Sequence, residues 1–439
     1  MKKILLTCGA AIAAIMLPAC SSDDTTKNNQ LTPIELSRAE IEVSADINDF
    51  SINILKAIVD QNFEDRNIAV SPLGATMVAG MFGNAIADED LTELTKALGL
   101  EGNDLTALNS FNSTMLSTLP SHDKSAILKI ANASWFDQNH VQVSDLYRTV
   151  LQDTYKSEIR LADFNNSATL TDINAWVSDR TDKAIPKILD KIEEGDRAVW
   201  LNALYFKGIW KSRFDKSKTK KENFILENGK TTEVDMMREA KEVAGKLYRT
   251  PVEGFTGSLY GPDADTKNIF TTTMATLDYG NGAFALTAIM PDARIKIKDF
   301  IAENHDKLIA AIAGEDVFGK NWNPATDVVF PRLNLSIDTD LVNPMIALGA
   351  KNIFTGVDMP GIGYNANKSM IVSKFKQNII LDLDEEGTKV KVATAGKGSD
   401  LMSNLPETAK FDHPFIYFIW EKTTGTILLE GVVMNPNEK

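Results

Sequence analysis

The residues best placed to do chemistry in this chain form a bait, not a nucleophile with its base. Leu401-Met402 is an apolar pair set among Gly396, Gly398, Ser399 and Asp400 on one side and polar residues on the other. An exposed apolar pair between flexible residues is the form a protease subsite accepts, so the chemistry in question is cleavage of this chain's own backbone. Gly387 and Pro414 stand 27 positions apart with no helical period between them. A connection longer than about 12–15 residues inside a compact domain is usually functional or disordered. From Thr388 the segment also alternates, with Thr388, Val390, Val392 and Thr394 on one parity and Lys389, Lys391, Ala393 and Ala395 on the other. Strand side chains point to opposite faces with period two, so the same residues could enter a sheet with Thr/Val buried and both lysines in water.

Other chemistries are absent. His122, His140, His305 and His413 are scattered without metal spacing, and no G-x-S-x-G elbow occurs. Ala395-Gly396-Lys397-Gly398-Ser399 lacks the G-x-x-x-x-G-K-[ST] spacing of a phosphate loop. No cofactor and no metal is expected, and the chain is not read as an enzyme.

The bait must be positioned by elements on either side. Met370 to Leu383 is β-patterned before it, and Phe415 to Trp420 after it. Ala45 to Gln61 repeats apolar residues at three and four, which makes a helix face. Ser71 can cap a helix that Pro72 starts, and that helix, read through Ile86, is rich in Gly and Ala. Further helices are expected at Asp88 to Leu98, with Gly99 as the stop, at Ser144 to Tyr155, Ile297 to Ile312 and Leu341 to Leu348. Strands are expected at Ile127 to Phe136, Val199 to Trp210 and Val328 to Ile337. Hairpins are expected to turn at Glu227 to Lys230 and at Gly280-Asn281-Gly282. Helices early and long antiparallel strands late favour an α+β class.

These pieces, in this order, resemble the serpin family. Glu385-Glu386-Gly387-Thr388 is similar to its proximal hinge, and Phe411-Asp412-His413-Pro414-Phe415 to the entry of the strand after its reactive-centre loop. Val199 to Trp210 resembles the family's L-V-N-x-x-Y-F-K-G-x-W run, and Thr424 to Pro436 its closing strand. Asn67 to Pro72 and Ile173 to Val177 match further family motifs. The resemblance implies a serpin fold of three β-sheets with surrounding helices and an exposed loop, here 385–411 within a domain 44–437. It implies a protease inhibitor acting as a suicide substrate: the protease attacks the loop, forms an acyl-enzyme, and is trapped as the freed loop inserts into the central sheet.

Carried over residue by residue, the hinge is Glu385, Glu386, Gly387 and Thr388, with Val390 and Val392 standing where inhibitory members usually have alanines. Ser71, Asn202 and Gln377 resemble shutter residues, Gln377 standing where many members have a histidine, with an amide able to bond Asn202. Gly74 replaces a usual shutter serine. Trp210 matches the tryptophan at the top of the sheet. The family's offset from Gly387 lands on Leu401 and the count back from Pro414 on Ser403, so the reactive bond is read as Leu401-Met402 within that bracket. The implied partners are serine endopeptidases with apolar primary specificity, chymotrypsin-, subtilisin- or elastase-like, or papain-like cysteine proteases. The alternative is a non-inhibitory serpin-fold binding protein on the cell envelope.

Net charge is −14, and −16 once Lys2 and Lys3 leave with residues 1–19. An acidic chain without a basic stripe argues against nucleic acid. Lys2-Lys3 and the apolar run Ile4 to Leu17 read as a signal peptide, too short to span a membrane. Leu17-Pro18-Ala19-Cys20 resembles a bacterial lipobox, which makes Cys20 the lipidated mature N-terminus; an ordinary secretory signal cut nearby is the other reading. Residues 20–43 then form a tether, and the protein is expected as a lipid-anchored monomer of the cell envelope, on the surface or periplasmic face of the outer membrane. Cys8 and Cys20 are the only cysteines, so the folded body has no disulfide and depends on packing.

Overall fold

The long apolar-patterned helix near the N-terminus organises the packing. In the structure, a computed structural model describing residues 29–62, 66–100, 105–238, 244–252, 256, 267–318, 322–363, 370–387 and 407–438, it is α1 (Arg38–Asn62). It buries Ile47, Phe50 and Ile54 in one core cluster and Ile52, Leu55 and Val59 in another. A helix apolar on two faces must lie between two layers, and α1 does. Residues read with the tether belong to the body: Ile34 is buried with its amide on Thr423, and Asn29 bonds Asp123.

The remaining helices are α2 (Pro72–Gly83), α3 (Asp88–Ala97), α4 (Leu105–Thr118), α5 (Asp145–Asp153), α6 (Ser167–Arg180), α7 (Ile297–Glu303), α8 (His305–Ile312) and α9 (Val342–Ala347). Ser71 caps α2 by accepting the Gly74 amide, and α2 ends earlier than its composition suggests, at Gly83. Gly80 is required there: a Cβ would fall 2.0 Å from the Tyr155 hydroxyl. The pattern from Ile297 to Ile312 breaks into two helices at Asn304.

The strands are β1 (Ile68–Val70), β2 (Ala126–Asp137), β3 (Glu158–Ala162), β4 (Ala198–Gly208), β5 (Lys220–Ile225), β6 (Thr231–Met237), β7 (Ala244–Pro251), β8 (Ile269–Asp278), β9 (Phe284–Met290), β10 (Trp322–Pro331), β11 (Leu333–Asp340), β12 (Lys376–Leu383), β13 (Glu407–Lys410), β14 (Phe415–Glu421) and β15 (Ile427–Val433). One long sheet runs β1-β15-β14-β9-β8-β7-β10-β6-β5, with β13 also on β10. Two of the three expected sheets are thus joined through β10, whose first residues pair β7 and whose last two pair β6. The single strand expected over Val328 to Ile337 is two strands. Pro331 lacks a donor, and at Arg332 the chain leaves the long sheet for another.

The third sheet is in two pieces, β3-β2-β4 and β11-β12. The strands β4 and β12 approach within 8 Å between Cα atoms, yet no ladder joins them among the described residues. Ala198 to Leu201 face Val372 to Lys376 across one narrow cleft, and Phe206 to Gly208 face Ile380 to Leu383 across another. The two strands therefore run in the same direction on either side of an unbonded seam. One cluster under α6, holding Trp135, Ile173, Trp176 and Leu201, also takes Ile380 of β12, so α6 lies over that seam.

Candidate functional site

The seam ends where β12 turns into the hinge, and Trp210 holds that turn. Just beyond β4 its indole stacks on Tyr279, with centroids 4.3 Å apart at 16°. Its Nε1–H donates to the Asp384 carbonyl at 2.8 Å and its backbone N–H to the Glu386 carbonyl at 3.1 Å. Gly387 adopts φ +79° here, and a Cβ would lie 2.3 Å from the Trp210 nitrogen and 2.7 Å from the Gly208 oxygen. Both the left-handed backbone and the close approach demand glycine.

Glu385 is buried, and its carboxylate accepts from Thr219 Oγ1 and from the Arg332 guanidinium, each at 2.5 Å. Its backbone carbonyl accepts the Phe214 amide at 3.0 Å. Burial pushes the carboxyl upward, but the bonds from Thr219 and Arg332 outweigh it and hold the group below its ordinary range. Arg332 sits at the break between β10 and β11 and also reaches Asp235 at 3.3 Å. It therefore ties the loop's first root to two sheets.

The other root is built differently. β13 runs parallel to β10, from Ala325 opposite Glu407 to Val329 opposite Lys410. Arg249 grips Glu407 with two bonds of 3.0 and 2.7 Å. Phe330, Phe411 and Phe415 form a ring cluster with centroids 5.1 to 5.5 Å apart. His413 bonds Asp412 and the Pro291 carbonyl, a structural role.

Ser71, Asn202 and Gln377 converge near the middle of the seam, with bonds other than the sequence suggests. Gln377 does not reach Asn202. Its Oε1 accepts the Ser71 amide at 2.7 Å and its Nε2 donates to the Ser71 carbonyl at 2.9 Å, a two-bond clamp from β12 to the cap of α2. Ser71 Oγ donates to the Leu428 carbonyl. Asn202 turns the other way, donating to Asn132 Oδ1 at 2.8 Å, and Asn132 donates to the Tyr155 carbonyl. Gly74 explains the choice: any Cβ there would stand 2.6 Å from Asn202 Oδ1. Each half of the divided sheet is thus fastened to the body separately, and none of these three side chains bridges the seam.

Thr388, Val390, Val392, Leu401, Met402 and Cys20 lie outside the described residues. Of the hinge, Glu385, Glu386 and Gly387 are described and lie beside Trp210. Sequence reasoning missed Arg332, Thr219, Tyr279, Asn132 and Arg249. The one available signal is the broken alternation at Pro331-Arg332, inside the run expected as a single strand. Among the described residues no group of His, Cys, Asp and Glu is arranged to hold a metal.

Comparison with known proteins agrees with this geometry. A family model described as serpin (serine protease inhibitor) matches residues 45–436. Serpin-ZX of Arabidopsis thaliana is 26% identical over 89% of this chain and 97% of its own. Iripin-1 of Ixodes ricinus is 26% identical over 88% of this chain and 93% of its own. Among solved structures, the thermophilic serpin tengpin in its native state superposes with a TM-score of 0.73 at 23% identity, covering 94% of this chain and 99% of that one. Human glycosylated kallistatin gives 0.74 at 18%, covering 92% and 100%. The chain belongs to the serpin family and has the serpin fold, in a family whose members are typically protease inhibitors and not enzymes.

Proposed function

We propose that this protein is an inhibitory serpin that traps proteases as a suicide substrate. The observation that carries the reading is the unbonded seam between β4 and β12, which ends at the root of the loop. A chain leaving β12 through the Asp384–Gly387 turn and folding back would run antiparallel to it and enter this seam, pairing on both edges. Roughly 14 inserted residues would move the cleaved end about 45 Å at strand rise, enough to drag an attached protease across the body. Leu401-Met402 is the proposed reactive bond, and its apolar residues suit chymotrypsin-, subtilisin- or elastase-like enzymes. Lys389 and Lys391 would stay on the solvent parity. Cys20 is the proposed lipid anchor on the cell envelope, testable by labelled fatty acid incorporation that Cys20→Ala abolishes.

The test is incubation with a chymotrypsin-like protease and then denaturing electrophoresis. A band at the summed mass of serpin and protease is expected, with the released C-terminal fragment starting at Met402. Clean cleavage with the protease fully active would instead establish the non-inhibitory binder. Nicking the loop should also raise the melting temperature strongly, because an inserted strand fills the seam.

A further inference from the structure

This inference rests on the reading of 388–406 as the loop a protease engages, and it concerns which proteases the body attracts. Between Lys207 and Lys221 the chain carries seven Lys or Arg residues and one acid, Asp215, in a protein of net charge −14. Lys211, Lys216, Lys218, Lys220 and Lys221 are all exposed. This segment runs from one root of the loop to the other. Trp210, Phe214 and Thr219 bond the Asp384–Glu386 turn, while Glu222 pairs Lys410 at 3.2 Å and the Ile225 amide bonds the Asp412 carbonyl at 2.8 Å. The basic segment is thus bonded to the first root and continues into the strand bonded to the second.

We propose that this segment is a docking surface for the target protease, fitted to an enzyme with an acidic rim around its active-site cleft. Charges beyond about 8–10 Å are screened at physiological salt, so the charges at the loop's foot count for most. There Arg332 neutralises Glu385, and Arg238 and Lys410 neutralise Glu222, while Asp382, Asp384 and Glu386 offset part of the segment's positive charge. Complementary patches of this kind raise association rates by about 10- to 1,000-fold. Protection of the edge strand β5 accounts for Lys220 and Lys221. It does not account for Lys216 and Lys218, which lie outside the strand; Lys211 stands 3.7 Å from Asp278.

The test uses the full chain with α-chymotrypsin, native or with its surface lysines succinylated so that it becomes acidic. Each association rate is normalised to that enzyme's turnover of a small peptide. At about 150 mM ionic strength, where screening confines the encounter to the charges at the loop's foot, the wild-type chain should meet the succinylated enzyme at least about tenfold faster than the native one, the gap closing at about 1 M salt. Lys216→Glu with Lys220→Glu should remove that preference, with unchanged melting temperature and unchanged stoichiometry of inhibition. Equal rates for both enzyme forms and both chains overturn the proposal. So does a preference that survives the double substitution, or a segment that binds a heparin fragment while leaving protease rates unchanged. Rate of loop cleavage reads docking even where no covalent complex forms, so failure of trapping and failure of docking are separate results.

Discussion

The two roots of the loop hold the same chain by opposite means. At the first, the Asp384–Gly387 turn is kept by Trp210, by the Phe214 amide and by the Glu385 carboxylate between Thr219 and Arg332. At the second, β13 is laddered onto β10, Arg249 adds a bidentate pair, and three phenylalanines close the core beneath. A few bonds around one turn can release together once the chain beyond is cut. A ladder over an aromatic cluster cannot be withdrawn without opening the core. The difference matches the proposed mechanism, in which the first root supplies the moving strand and the second stays.

The severest way to break this comparison is to leave the first root intact and spoil the residue just beyond it. Thr388→Arg places a charge on the parity that enters the sheet, where an unpaired buried charge costs several kcal/mol. Trapping should be lost while cleavage persists, and the melting temperature of the uncut protein should stay unchanged. A covalent complex with this variant would refute insertion on that parity.

Next in size is the contrast between Arg332→Met and Arg249→Met. Removing Arg332 leaves a buried carboxylate with one neutral partner, and because the arginine is partly exposed the expected cost is about 1–3 kcal/mol. The freed root should let the uncut loop insert spontaneously, read as faster loss of inhibitory activity on storage. Arg249→Met, which breaks a bidentate and less exposed pair, should also cost about 1–3 kcal/mol but leave that rate unchanged, since ladder and aromatic cluster remain. Equal loss in both variants would erase the distinction between the roots.

A comparable effect of opposite sign is expected at Glu430. This carboxyl lies in β15 between Val70 and Phe418, fully buried, with no well-formed hydrogen bond to either oxygen among the described residues and only the Ser51 hydroxyl close enough to favour its charged form. Burial drives its pKa far upward, so the folded protein holds a proton that the unfolded chain releases. Stability is therefore lost as pH rises above the ordinary glutamate value. Glu430→Met should raise the melting temperature, by about 1–3 kcal/mol of stability at pH 7, and more at pH 8 than at pH 5.

The smallest effect should come from acid acting on Glu385. Its folded pKa is depressed, so its stabilisation is complete above the ordinary glutamate value and fades as pH falls through the lower folded one. Amide hydrogen exchange at Asp384–Gly387 should accelerate below about pH 4, more in wild type than in Glu385→Gln. No difference between the two would show that the carboxylate does not hold the turn.

Much of this molecule was legible in its order of residues. Ser71-Pro72 named the start of α2, Gly99 and Gly229 took the left-handed turns expected of them, and β2, β4 and β14 fell close to their apolar runs. These signals are local, since caps, turns and side-chain periods act over a few residues. Tertiary structure alone decided that Gln377 clamps Ser71, 306 positions away, instead of Asn202, and that Arg332 is the partner of Glu385. It alone decided that β4 and β12 lie side by side with no ladder between them among the described residues. Such choices depend on register and on where a missing Cβ at Gly74 leaves room, and a one-residue shift in pairing would reverse every face involved. The sequence by itself determined the elements and the bait, whereas the packing of distant strands decided which bonds hold the loop and where the sheet was left unjoined.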